Sequence, residues 1–157
     1  MKTIRILLAL GFSALLGSAA RAHDKTAPLD NDQKQFLAQY ELVRAALASD
    51  DLAAAKKAAA MVAAMPVIHH EKGVDAPPGY VQDARKFAET KSLAEFREVF
   101  KSFSKRAVHV TEGKPGYYVA HCPMVPNDEG DWVQTTKTIS NPYLGKGMLT
   151  CGSIKDR

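Results

Sequence analysis

A helical apolar rhythm runs through the middle of this chain and stops at Gly113-Lys-Pro-Gly116. That break constrains the fold more than any other feature. Upstream, Phe36, Leu37, Tyr40, Val43 and Leu47 follow helical spacing and form one apolar face, with Asp30 or Asn31 as a cap in front. Ser49-Asp50-Asp51 interrupts the pattern and can cap a second helix, Leu52 to about Met65. Its alanine-rich composition favours helix and close packing, and Pro66 ends it or forces a kink. Glu71 to Gly79, with two glycines and Pro77-Pro78, reads as a loop, followed by a shorter helix over roughly Val81 to Glu89. Ser92-Leu-Ala-Glu95 has capping-box spacing and opens a helix to about Val110, built on Leu93, Phe96, Phe100 and Phe103. Beyond Gly116 the chain changes character. Tyr117-Tyr-Val-Ala and Asp131-Trp-Val-Gln-Thr read as short strands, with Asn127-Asp-Glu-Gly130 turning between them. The expected fold is mainly α: a helical bundle of about four helices carrying a small, irregular C-terminal β/turn module at about 116–152.

The N-terminus gives the compartment. Lys2 and Arg5 form a basic start, Ile6 to Leu16 is apolar apart from Gly11 and Ser13, and Ala20-Arg21-Ala22 is an A-x-A cleavage site. The apolar run is short for a membrane span. Residues 1–22 are read as a cleaved signal peptide and 23–157 as a single exported domain, periplasmic and not membrane-embedded after cleavage. The formal net charge is +4. Removing the signal's three cations leaves +1, with no clustered basic footprint for nucleic acid.

Both cysteines lie in the C-terminal module, each with a methionine nearby. Cys122-Pro-Met124 puts a thiol and a thioether on one face of an extended segment. Met148-Leu-Thr-Cys151 aligns them over one helical turn. Thiolate and thioether together select Cu(I) over harder divalent ions, and Ag(I) or Hg(II) can substitute. Cys122, Met124, Met148 and Cys151 are therefore the expected ligands. His121 is a further nitrogen donor or a tuner of the neighbouring thiolate, although on a strand it points away from Cys122. The competing reading is a Cys122–Cys151 disulfide, the default for two cysteines in an oxidising compartment, with both methionines simply packing the base of the module.

The order CPM, Trp132, I-x-NPY-x-G and M-x-x-CG resembles a specific family: an exported domain of unknown function found alone and at the C-terminus of heavy-metal efflux adaptors. Those adaptors serve copper- and silver-exporting pumps. The resemblance rests on Cys122, Pro123, Met124, Trp132, Ile139, Asn141, Pro142, Tyr143, Gly145, Met148, Cys151 and Gly152, and more loosely on Arg97, Phe100 and Ser104. It implies copper handling, with a heavy-metal efflux component or a periplasmic copper protein as partner. His121 departs from the family, where an aromatic residue precedes the CPM.

Weaker metal signals lie elsewhere. Met61, Met65 and His69 fall at helical spacing, His69-His70 is adjacent, and cleavage before His23 would leave an N-terminal histidine able to chelate Cu(II). No catalytic constellation competes: there is no phosphate loop, HExxH, C-x-x-C or nucleophile elbow, and no enzyme is expected. Two functions follow. One is a periplasmic protein that holds Cu(I) for buffering, tolerance or hand-over to an efflux system. The other is a metal-free structural or interaction module locked by the disulfide.

Overall fold

A computed structural model describes residues 27–65 and 79–155. The signal-peptide reading, His23, Pro66, most of the Glu71–Gly79 loop and His69-His70 fall outside the described residues. Among those described, the fold is mainly helical with a small C-terminal sheet, as the sequence pattern predicts. Helix α1 is Asn31–Ala48, α2 Leu52–Ala63, α3 Gly79–Lys86 and α4 Leu93–Val110. Strands β1 (Tyr118–His121), β2 (Asp131–Gln134) and β3 (Ser153–Ile154) complete the module. No helix among the described residues is long and apolar enough to cross a membrane.

Local chemistry accounts for the helix ends. Asp30 caps α1 by accepting from Gln33 N at 2.8 Å, and the Gln33 side chain accepts from Asp30 N at 3.0 Å, a complete capping box. Asp51 caps α2 through Ala54 N. At α4, Ser92 Oγ accepts from Glu95 N at 3.2 Å, but Glu95 reaches one residue further back, to Lys91 N at 2.7 Å. The expected box is therefore only half formed. Helix α2 stops at Ala63 rather than Met65, and α3 begins at Gly79, two residues earlier than its spacing predicts.

α1 and α2 form a hairpin, and the buried Ala55, Ala58 and Ala59 keep little bulk where α2 packs on its neighbours. The core is aromatic. Phe36 meets Phe103 edge-on at 5.3 Å and stacks on Tyr80 at 4.5 Å, while Phe87 stacks on Phe96 at 4.1 Å. Phe100 extends this core into the C-terminal module, with its ring 5.6 Å from that of Tyr143.

The sheet order is β2-β1-β3, both pairings antiparallel. β1 pairs with β2 from Tyr118 opposite Gln134 to His121 opposite Asp131. Asn127 and Asp128 between them take positive φ (62° and 56°), which Asn and Asp tolerate better than most residues. Strand β3 has no counterpart in the sequence reading; two residues are too few to show a period.

Candidate functional site

β1 and β3 bring the two cysteines together. Cys122 follows β1, Cys151 leads into β3, and the two form a disulfide with Cα atoms 5.8 Å apart. Cys122 is fully buried and Cys151 partly so. Backbone ties besides the sulfur bond hold the pair. Cys122 N donates to Gly130 O (3.1 Å), Cys151 N to Met148 O (3.0 Å) and Lys155 N to Val119 O (2.8 Å). At Gly152 φ is +124°, and a Cβ there would lie 2.7 Å from His121 O and 2.8 Å from the Trp132 ring. Only glycine lets the strands close at that point.

The Asn141-Pro-Tyr143 segment supports the pair from behind. Asn141 is fully buried. It accepts from Tyr143 N (2.8 Å) and Leu144 N (3.1 Å) through Oδ1 and donates through Nδ2 to Cys151 O (2.8 Å). Its own N–H donates to Leu149 O at 2.8 Å. Tyr143 OH donates to Asp131 O at 2.7 Å, and burial pushes this phenol well above its ordinary range. Trp132 is fully buried and donates from Nε1 to Gln134 Oε1 at 2.9 Å, so it anchors the module.

Arg97 fastens the module to the bundle. Its guanidinium donates to Pro142 O (2.9 Å), Leu47 O (2.9 Å) and Asp50 Oδ1 (2.5 Å), joining α4 to the α1–α2 corner and the NPY segment. Asp50 also accepts from Lys146 N at 3.1 Å. The Arg97 hydrogen bond is the main reason its carboxyl lies below the ordinary range. Asp50 itself has φ 56°, the left-handed position that ends many helices and usually carries glycine. An aspartate there supplies the carboxylate for Arg97. Gly145 sits against this pair at φ +55°, where a Cβ would meet both Asp50 and Arg97. Sequence reasoning missed the clamp; its signal was an arginine one position after the core residue Phe96.

Four expected ligands fall into two classes. The cysteines are joined and inside. Met124 and Met148 are 62% and 46% exposed, which speaks against the competing reading that they pack the base of the module. Met124 borders a cleft of about 270 Å³ with Arg97, Lys101, Val125, Tyr143 and Leu144 among its walls. His121 is engaged elsewhere: Nδ1 lies 2.7 Å from Asp131 Oδ1 and Nε2 3.4 Å from Asp128 Oδ1, while Lys155 Nζ donates to Asp131 Oδ2 at 2.9 Å. Of the helical methionine stripe, Met65 is buried and Met61 is 52% exposed. Among the described residues, no group of three or more His, Cys, Asp and Glu side chains is placed to hold a metal ion.

No protein-family model, curated protein or solved structure matches this chain.

Proposed function

We propose that the protein is an exported, periplasmic Cu(I)-binding protein whose C-terminal module takes its cargo after the disulfide is reduced. Cys122 and Cys151 then supply two convergent thiolates, and Met124 and Met148 supply thioethers from the adjoining turns. The observation that carries this reading is one of remainder. Asn141, Tyr143, Gly145, Gly152, Trp132 and Arg97 are all accounted for by hydrogen bonds, close approach or burial. The two methionines are left exposed, where methionine gains little by packing. Soft thiolate and thioether donors suit Cu(I), with Ag(I) or Hg(II) as mimics. Thiolates give affinity, and thioethers permit exchange, which fits buffering or hand-over to a heavy-metal efflux component or another periplasmic copper protein. Enzymatic turnover and nucleic-acid binding form no part of the proposal. His121 is an outlying donor in it, because its ring is already bound to Asp131.

The disulfide favours a second reading, a metal-free structural or interaction module locked by Cys122–Cys151. Cys122→Ser separates the two. Under the copper reading, the reduced variant folds but loses most of its Cu(I) affinity in competition with a strong chelator. Affinity equal to that of the reduced wild type would remove Cys122 from the site, and a reduced wild type that draws no copper from the chelator would leave the locked module as the better account.

A further inference from the structure

The Cu(I) reading needs thiolates, whereas the cysteine pair is a disulfide, the form that persists in an oxidising compartment. Something must open it. The pair is asymmetric: Cys122 has no exposed surface, while Cys151 is partly exposed and follows the exposed Met148, Leu149 and Thr150. Of the two residues, Cys151 is therefore the one on the side open to a thiolate arriving from outside. We propose that the disulfide is a thiol-exchange site, attacked at Cys151 by an exported dithiol reductant while the protein stays folded. This inference rests on the copper reading for its purpose, though not for its chemistry.

The exchange balances as follows. The reductant's leading thiolate bonds to Cys151 Sγ, the Sγ–Sγ bond breaks, and Cys122 leaves as a thiolate that takes up a proton. The reductant's second thiol then loses its proton and attacks the mixed disulfide, which frees Cys151. Two electrons pass to the protein, and the partner ends as a disulfide. The fold has a reason to survive this. Asn141 still holds Cys151 O and Leu149 O, Lys155 N still holds Val119 O, and Ala120 still faces Ile154 across β1–β3. None of these bonds passes through sulfur. The dithiol stays convergent, so opening the bond prepares a site rather than dissolving one.

The first test uses the oxidised mature protein, with reduced glutathione as the probe in native buffer. Aliquots are quenched with acid, alkylated and counted for thiols by mass spectrometry. The expected rate of opening rises in proportion to glutathione thiolate, well below any denaturing condition. A rate independent of glutathione and equal to that of global unfolding would overturn the proposal, because the bond would then open only in the unfolded chain. A second test fixes the point of attack. The free Cys151 of Cys122→Ser should react with an aromatic disulfide reagent about tenfold or more faster than the free Cys122 of Cys151→Ser. Equal or reversed rates would overturn attack at Cys151. The copper reading is probed on chemically reduced protein, so either failure leaves it standing, and its failure leaves these rates unchanged.

Discussion

Met124 and Met148 separate a binding role from a packing role at the level of single side chains. Both are exposed, so replacing them with leucine removes sulfur but little buried surface. Met124→Leu/Met148→Leu should change unfolding free energy by no more than about 0.5 kcal/mol, as surface substitutions do. Its Cu(I) affinity, measured by chelator competition on reduced protein, should fall clearly below that of the wild type. Unchanged affinity would take the thioethers out of the site. Asp50 makes a pH prediction. Arg97 lowers its folded pKa, so the ionised form contributes stability above the ordinary aspartate range. That contribution is lost as pH falls through the folded value. Asp50→Asn keeps a residue tolerant of positive φ but removes the titration. The stability gap between wild type and variant, from denaturant unfolding at neutral and acid pH, should be widest near neutrality and should close in acid. A gap that stayed constant would mean that Asp50 acts only through its backbone.

At the scale of elements, one hydroxyl joins α1, α4 and β2. Tyr40 OH accepts from Val133 N at 3.0 Å and shares a hydrogen bond with Ser104 Oγ at 2.9 Å, and Ser104 Oγ donates to Asp131 O. Burial pushes the Tyr40 phenol well above its ordinary range. Tyr40→Phe strands a buried strand N–H and should cost about 1–3 kcal/mol in denaturant unfolding. A loss below the error of that measurement would mean that the junction is held by ring packing alone. The helices themselves were legible, because caps such as Asp30, Asp51 and Ser92 and the phenylalanine spacing of α4 are local signals. The hairpin was legible from its turn residues, although β1 starts one residue later than expected and ends at His121. What joins the elements was not. Tyr40 reads in sequence as one more apolar-face residue, and nothing local shows that its hydroxyl reaches Val133. The same holds for Arg97 and Pro142. Methionine exposure in an irregular segment was likewise invisible, since periodicity assigns faces only where a regular element exists.

For the molecule as a whole, the bundle carries a C-terminal module closed by a largely buried disulfide, and in the reading we propose redox state decides what that module can bind. The disulfide closes a loop with a sequence separation of 29 residues, worth about 3–4 kcal/mol on the chain-entropy model. The reduced protein should therefore unfold at lower denaturant but with one cooperative transition, because the aromatic core and the Arg97 clamp are untouched. The same preparation carries the decisive experiment. Mature protein, reduced and shown to have two free thiols, is titrated anaerobically with Cu(I) against a strong chelator. Saturable one-to-one binding that draws copper from the chelator is the predicted result. No withdrawal of copper, with both thiols free and the fold intact, would contradict the Cu(I) site and leave a disulfide-locked interaction module in its place.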